Sequence, residues 1–275
     1  MEDFVHRALE TYKDPAFPIF TLGLWILHIV TYLAMALPVT WFDMKKPPWA
    51  DPYKIQERVA DNRRLFWPSL GLFFLNGALL VGASALAWPL MHWCGLHVGP
   101  LPPWYTILWQ VVFFMYLDDF LYYFIHRVLH IPWLFKRIHY LHHSVKTPWG
   151  INAHYMHPIE LLLTGFTVLA GPVILGAHLF PLFAWIVVRQ WTGVAGHCGY
   201  ELRFDPMKIF PGYLGNVFHD FHHSQCHGNY SGGLGWVDGL FGSWANGYKE
   251  RDREIKAQIK VAREAKRAGQ QSAGA

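Results

Sequence analysis

Histidines recur at fixed spacings in three short stretches of this sequence. HRVLH contains His126 and His130, which are four residues apart. HYLHH and HDFHH both place histidines at positions i, i+3 and i+4, as His139, His142, His143 and as His219, His222, His223. On a helix, residues three and four apart are neighbours on one face. Imidazoles arranged in this way are suitable ligands for iron, zinc, copper or nickel, so the spacing predicts metal binding.

Two further histidines, His157 in HPIE and His197 in GHCGY, stand at the two sides of an apolar stretch. They bring the candidates to ten, enough for two metal ions with about five nitrogens each. One HxxxH pair alone could equally be a packing or capping feature. The eight histidines of the three stretches are harder to explain without a shared partner, because an unpaired buried imidazole costs free energy. His154 and His227 lie nearby and are candidates for an extra ligand or a substrate-facing side chain.

Three carboxylates are placed where they could orient ligating histidines, which usually donate their second N–H group to a carboxylate or carbonyl. Asp119 precedes His126 by seven residues, about two helical turns, and would lie on nearly the same face. Asp119 is also costly inside an apolar helix unless it has such a partner. Glu160 could serve His157 in the same way, and Asp220 lies within HDFHH. Each of the three could instead be an ordinary helix-end or interfacial carboxylate.

The composition points to a membrane protein. Charged residues make up 15% of the 275 residues, against about 25% in soluble domains, and aromatic residues make up 17%. Residues 17–42 contain no charged side chain, and neither do residues 65–117. A cluster of prolines at 100–103 divides the second run, which predicts spans at about 65–93 and 104–125. No basic patch is interleaved with polar readout residues, so nucleic-acid binding is not expected.

The basic residues predict how the spans are oriented. Residues 43–64 contain six Lys and Arg, whereas the connection between the second and third spans contains none. Because cytoplasmic loops carry the excess of Lys and Arg, residues 43–64 are expected in the cytoplasm and the N-terminus outside. The third span then returns to the cytoplasm, where the histidine stretches begin.

If both HxxHH stretches contribute to one site, the chain must cross the membrane an even number of times in the apolar region 161–188 between them. The Gly171-Pro172 pair near its middle favours a helical hairpin over a single span. We therefore predict an all-α fold: a multi-pass transmembrane helical bundle of three spans plus a helical hairpin, with a cytosolic histidine-rich di-metal cap.

The predicted organisation has three parts. N-terminal transmembrane helices would occupy residues 1–125, and the histidine-box catalytic region residues 126–248, including a membrane hairpin at 158–196. Residues 249–275 form a charged tail, for which a solvated helix is expected in preference to a lipid-surface anchor.

The same stretches resemble the fatty acid hydroxylase/sterol desaturase superfamily of membrane di-iron enzymes. HRVLH, HYLHH and HDFHH are similar to its three histidine boxes, and DDFLYYFIHR to its lead into the first box. AHYMHPIE, GHCGYELRFDPMKIFP, GNY and WVDGLFGS are most similar to the C-4 methylsterol monooxygenases of that superfamily. The resemblance covers about residues 115–245. This chain departs at His154, where C-4 methylsterol oxidases tend to have an acidic residue and sterol C-5 desaturases a histidine.

The resemblance implies a membrane enzyme with two irons that uses O2 to oxidise a lipid, most simply a methylsterol at its C-4 methyl group. Electrons would come from a separate reductase or a cytochrome b5-like partner, since the sequence has no HPGG segment of its own. Carried over by position, the iron ligands would be His126, His130, His139, His142, His143, His157, His197, His219, His222 and His223. The metal centre would carry the chemistry, so no side chain is assigned a catalytic role of its own. A bacterial inner membrane and the endoplasmic reticulum are equally compatible, with the metal site facing the cytoplasm.

Other functions remain open at this point. Another lipid hydroxylase or desaturase of the superfamily could act on a sterol side chain, sterol C-5, a fatty acyl chain or a carotenoid. A metal transporter belongs to another class, but transporters place ligands near the bilayer midplane on broken helices, whereas these boxes lie outside the apolar runs. A non-catalytic sterol-binding relative would have no need of intact boxes.

Overall fold

The structure is a computed structural model that describes residues 2–56, 61–201 and 203–273. All regular elements within these ranges are helices, which confirms the predicted all-α class. The helices are α1 (Glu2–Thr11), α2 (Leu24–Lys45), α3 (Phe66–Trp93), α4 (Trp104–Leu129), α5 (Pro132–Leu134), α6 (Tyr140–His143), α7 (Pro158–Ile174), α8 (Leu179–Gly196), α9 (Asn216–Gln225), α10 (Trp236–Phe241) and α11 (Tyr248–Ala273). Turns of π-helix lead into α2, at Ile19–Gly23, and into α6, at Phe135–His139.

Three helical segments are long and apolar enough to cross a membrane: Ile19–Lys45, Arg63–Trp93 and Trp104–Leu129. The shortest has 26 residues, which is about 39 Å of helix against a hydrocarbon thickness of about 30 Å. Large apolar side chains on these helices face outward, and Leu86 is 82% exposed. Such a surface suits contact with lipid. The three predicted spans are therefore confirmed as apolar helices of sufficient length.

The apolar region between the two HxxHH stretches is a helical hairpin, as predicted, but its turn lies at residues 175–178 and not at the Gly-Pro pair. Pro172 lacks the N–H group that would bond to the Val168 carbonyl one turn earlier. Trp185 Nε1, on the second arm of the hairpin, donates to that carbonyl at 2.9 Å instead. The substitute donor lets α7 continue through the proline, and Gly176, with φ of +54°, makes the turn that follows.

Helix α4 packs against both arms of the hairpin, and α2 packs along α8. The contact between α4 and α7 is close because position 171 has no side chain. A Cβ atom added to Gly171 would lie 2.6 Å from Cδ1 of Phe114, which is itself buried. This packing places the C-terminal end of α4 beside the N-terminal end of α7 and the C-terminal end of α8, where the histidine stretches are attached.

The connector between α2 and α3 packs against the histidine-bearing part of the chain. Ile55 N donates to Gly199 O at 3.1 Å, which joins the connector to the segment after α8. Helix α1 packs at the other end of α3, where Trp88 Nε1 donates to Thr11 O at 2.8 Å. The described part of the basic connector and the histidine stretches therefore share one end of the bundle, and α1 lies at the opposite end.

The C-terminal helix α11 is charged on its outer face and docked through an apolar stripe. Ile255 and Ile259 are buried against Val217 and Phe218 of α9. Exposed ion pairs such as Arg253–Glu250 lie on its other faces. The tail is thus a solvated helix that also supports the helix carrying HDFHH.

Candidate metal centre

Nine histidines lie in two groups, and within each group all the candidate ligand atoms are within 4.8 Å of one another. The larger group consists of His126, His130, His139, His143 and His222, and the smaller of His142, His197, His219 and His223. In each HxxHH stretch the histidines at i and i+4 share one group, and the i+3 histidine joins the other. HYLHH therefore gives two rings to the larger group and one to the smaller, and HDFHH gives one to the larger and two to the smaller.

Four segments position these rings. Helix α4 carries His126 in its last turn and His130 at its C-terminal cap. The chain then reverses, because Ile131 is extended before Pro132 and a residue before proline avoids the helical conformation. The π-helical turn and α6 carry the second stretch, and α9 carries the third. His197 caps the C-terminal end of α8.

Nε2 atoms face one another at short distances inside both groups. The Nε2–Nε2 distance is 3.1 Å between His126 and His139 and between His143 and His222. In the smaller group, His197 Nε2 lies 3.1 Å from the Nε2 atoms of His142 and His219. Two nitrogens that bind one ion at about 2.1 Å and at right angles lie about 3 Å apart, so these spacings suit a shared cation.

Backbone carbonyls fix the orientation of four rings through Nδ1. His126 Nδ1 donates to Tyr230 O at 2.7 Å, and His222 Nδ1 donates to Gly228 O at 2.6 Å. His197 Nδ1 donates to Gly193 O at 2.6 Å, and His142 Nδ1 faces Tyr155 O at 3.4 Å. A ring with its hydrogen on Nδ1 presents a lone pair on Nε2.

The facing Nε2 atoms of His142 and His197 therefore meet lone pair to lone pair. His142 and His197 both have Nδ1 directed at a carbonyl, so neither has a hydrogen to place between the two Nε2 atoms. Such a contact is repulsive unless a cation lies between the rings. His223 is buried, and within the described chain neither of its ring nitrogens has a hydrogen-bond partner. Both observations fit a donor set built for metal ions.

The rings are in the protonation state that a metal ion requires. Burial lowers the pKa of His139 to about 3 and that of His142 to about 4. Both imidazoles are therefore neutral near pH 7, with a lone pair available. Burial likewise holds the pKa of His222 and of His223 well below the usual value for histidine.

The predicted carboxylates have different partners from those expected. Glu160 Oε1 accepts from His139 Nδ1 at 2.8 Å, so Glu160 serves a member of the larger group and not His157. Asp119 Oδ1 accepts from Gly232 N at 2.9 Å and does not bond to a histidine, because its oxygens are turned towards the loop after the third stretch.

Asp220 is also directed away from the rings, although it lies between two candidate ligands in sequence. Its Oδ1 accepts from Gln56 Nε2 at 2.9 Å. On α9 the residue next to His219 points to a different face of the helix, towards the connector after α2. Asp220 therefore joins the connector to α9.

Three predicted histidines lie outside both groups. His157 is the N-terminal cap of α7, and its Nδ1 accepts from Ile159 N at 3.2 Å, which turns the ring towards the backbone of its own helix. His154 Nε2 lies 2.9 Å from Gln190 Oε1. His227 is exposed, and its Nδ1 lies 3.4 Å from the hydroxyl of Tyr230.

Asp238 has a positioning role that the sequence argument missed. It is fully buried and accepts from Tyr230 N at 2.9 Å, Ser231 N at 2.7 Å and Ser243 Oγ at 2.7 Å. These bonds fix the loop whose Tyr230 carbonyl orients His126. The signal available in the sequence was the stretch WVDGLFGS, which was noted only for its resemblance.

A cavity of about 160 Å³ extends from the smaller histidine group into the helical bundle. His142, His197 and His219 are among the residues that line it. The rest is lined mainly by apolar side chains of α2, α3, α7 and α8, among them Leu80 and Leu169. An elongated apolar molecule can therefore reach the smaller group from the membrane-facing helices, whereas no member of the larger group lines this cavity.

Comparisons with known proteins identify the family of this chain. The fatty acid hydroxylase family matches residues 111–243. Very-long-chain aldehyde decarbonylase GL1-11 of Oryza sativa is 34% identical over 231 residues, which is 82% of this chain and 86% of the relative. The chain belongs to the fatty acid hydroxylase family.

Methylsterol monooxygenases are also among the relatives. Methylsterol monooxygenase 2-2 of Arabidopsis thaliana is 32% identical over 235 residues, covering 82% of this chain and 86% of the relative. Methylsterol monooxygenase 1 of Gallus gallus is 29% identical over 256 residues, covering 89% and 83%. No solved structure matches the chain.

Proposed function

We propose that this protein is a membrane-bound monooxygenase that hydroxylates an unactivated C–H bond of a lipid, with a methylsterol oxidised at its C-4 methyl group as the preferred substrate. The observation that carries the proposal is the meeting of the smaller histidine group with an apolar cavity between the helices of the bundle. A lipid dissolved in the bilayer could enter such a cavity without passing through water.

The nine grouped histidines would hold two iron ions, five in one group and four in the other. Iron bound there supplies the activation of O2 that protein acids and bases cannot provide. Neutral, buried imidazoles suit iron but also suit zinc, so the choice of iron rests on the reaction proposed and not on ligand type. Electrons would come from a separate reductase or a cytochrome b5-like protein.

The side chains around the site would bind the lipid, hold its reacting carbon at the smaller group and exclude water. Apolar residues of α3 and α7 form part of the cavity wall, where a hydrocarbon body would pack. The Gly193 and Tyr155 carbonyls keep His197 and His142 turned towards the site. Binding energy along the lipid body would thus be used to place one carbon next to the metal ligands.

A very-long-chain aldehyde is the second candidate substrate, because relatives named as aldehyde decarbonylases are 34% identical to this chain. The apolar cavity would suit either lipid. A metal transporter is not favoured, since both histidine groups are assembled at one end of the bundle, beyond or in the last turn of the long apolar helices.

Lipid analysis of a host that makes 4,4-dimethyl sterols tests the proposal. Cells with wild-type chain and a competent reductase should contain new 4-hydroxymethyl or 4-carboxy sterol, and cells with His142→Ala should not. A histidine-dependent change in another lipid would keep the oxygenase and remove the sterol assignment. No change in any lipid, with metal flux in vesicles, would support transport instead.

A further inference from the structure

A chain of three polar side chains crosses the wall of the apolar cavity. Gln190 of α8 lies between two histidines: its Oε1 is 2.9 Å from His154 Nε2, and its Nε2 contacts His28 Nδ1 on α2. All three side chains line the cavity. The ring centroids of His28 and His154 are 4.9 Å apart, so both rings border the same small region.

The amide of Gln190 forces the two rings into opposite tautomers. Its oxygen can only accept and its nitrogen can only donate, and a ring buried in an apolar wall is neutral. His154 therefore donates from Nε2 and keeps a lone pair on Nδ1, while His28 accepts at Nδ1 and carries its hydrogen on Nε2. Reversing the amide would exchange the two roles and would still leave one ring as a donor and the other as an acceptor.

The outer nitrogens of the two rings remain available. His154 Nδ1 is buried and has no hydrogen-bond partner within the described chain. The hydrogen bonds of His28 involve Nδ1 and the backbone carbonyl, so Nε2 has no partner among the described residues, and the residue lines the cavity. A buried polar nitrogen without a hydrogen-bond partner costs free energy. A molecule that fills the cavity therefore binds more favourably if it supplies a hydrogen-bonding group to these nitrogens.

We propose that His28 and His154 bind a hydroxyl group of the lipid substrate. A hydroxyl can donate to one ring and accept from the other, and so satisfies both nitrogens. A carbonyl or carboxylate can only accept, which leaves one ring unpaired, and a hydrocarbon satisfies neither. The pair therefore selects a hydroxylated lipid over an aldehyde, a ketone or an acid.

The His28–His154 pair and the smaller histidine group line the same cavity, so a hydroxyl bound by the pair would lie in the cavity that holds the carbon to be oxidised. Tyr155, the residue after His154, directs its carbonyl at His142 Nδ1 at 3.4 Å, and His142 lines the same cavity. This inference rests on the proposed function and narrows it to lipids with a hydroxyl near the reacting carbon, as in a 3-hydroxy sterol with a methyl group at C-4. Arg189 also lines the cavity, but it is engaged by Asp118, with Nε 3.0 Å from Oδ2.

Equilibrium binding to the zinc-loaded full chain in lipid nanodiscs tests the inference without turnover. The probes are a 4,4-dimethyl sterol with a 3-hydroxyl, its 3-ketone and its 3-deoxy analogue. Wild-type protein should bind the hydroxyl sterol about tenfold more tightly than the ketone, as expected for the loss of one buried hydrogen bond, and should discriminate more strongly against the 3-deoxy analogue, which loses both. His28→Phe and Gln190→Leu should remove this preference.

Thr164→Val is the matched control. Thr164 also lines the cavity, but its hydroxyl already donates to Leu161 O at 3.0 Å, so the preference should remain. Melting temperature and zinc content establish that each variant is folded and loaded. Equal binding of the three sterols by wild-type protein, no binding of any of them, tighter binding of the ketone, or a preference that survives both substitutions would overturn the inference. A chain that shows the preference yet oxidises no sterol in the host refutes the proposed function and leaves the hydroxyl site standing.

Discussion

Glu160 Oε1 accepts a hydrogen bond from His139 Nδ1 at 2.8 Å, and both side chains are buried. The carboxylate belongs to the first turn of α7, and the histidine belongs to the second box. This bond holds His139 with Nε2 directed at His126 and makes its ring a better electron donor. The hairpin therefore positions a candidate metal ligand as well as packing within the bundle.

Replacing Glu160 should weaken metal binding at the larger histidine group. Glu160→Leu removes the acceptor and is expected to lower metal affinity about 10- to 100-fold. Glu160→Gln keeps an oxygen that can accept a hydrogen bond from His139, so it should lower metal affinity much less. Competition with a graded series of chelators, followed by metal analysis of the protein, measures the effect. Metal retention by Glu160→Leu equal to that of the wild-type protein would contradict the prediction.

His157 and His142 should differ sharply when each is replaced by alanine. His157→Ala removes only the cap of α7, so metal content should stay at the wild-type level while stability falls by about 1 kcal/mol. His142→Ala removes one of four ligands and should empty the smaller group. Metal-to-protein ratio and thermal unfolding distinguish the two. Equal metal loss from both variants would return His157 to the ligand set.

Asp119 should contribute to stability through the loop after the third box. Asp119→Ala leaves the part-buried N–H group of Gly232 without its acceptor and is expected to cost about 1 kcal/mol. Asp119→Asn keeps an acceptor oxygen and should cost less. Thermal unfolding in nanodiscs measures both variants. A Tm unchanged by the alanine substitution would show that this bond does not hold the loop.

Gly150 should tolerate no side chain, because it packs directly on α2. An added Cβ would lie 2.2 Å from Val39 Cγ2 and 2.8 Å from the carbonyl oxygen of Ala36. Gly150→Ala should therefore destabilise the protein by about 1–3 kcal/mol. Gly71→Ala is the control, since an added Cβ there meets no atom within 4 Å and alanine favours the helix. Comparable melting temperatures of the two variants would argue against this packing.

The two ends of the chain should lie on opposite sides of the membrane. Three helices that are long and apolar enough to span a membrane separate α1 from the histidine stretches, and α11 packs on α9. A reporter fused to the C-terminus should be cytoplasmic and one fused to the N-terminus should not, with the basic connector on the cytoplasmic side. Reporters found on the same side would require a different number of crossings.

Local spacing allowed the histidine groups to be anticipated from the sequence. The i, i+3, i+4 pattern is a property of one helical turn and places the three rings close together. The assignment of the i+3 ring to the other group appears only in the structure. The assumption that the two HxxHH boxes feed one site required an even number of crossings between them, and this predicted the hairpin. His157 was not separable in this way, because its position depends on where α7 begins, which the sequence pattern fixes only to within a few residues.

The partners of the histidines depend on contacts between distant segments, and these were not visible in the sequence. Carbonyls of Tyr230, Gly228 and Gly193 orient three of the rings, and every residue type has a carbonyl. The hairpin turn was displaced for a similar reason, since Trp185 supplies the hydrogen bond that Pro172 removes. Sequence periodicity predicts elements and faces, whereas these bonds depend on how the elements pack.

The most direct test is a turnover experiment under isotope-labelled O2 with purified, iron-loaded chain in nanodiscs, a chemical or enzymatic reductant and a 4,4-dimethyl sterol. The proposed function predicts a 4-hydroxymethyl product that contains oxygen from O2, and no such product with His142→Ala or with zinc-loaded protein. A product whose new oxygen comes from water, or one formed equally by His142→Ala, would contradict an oxygenase reaction at the histidine groups.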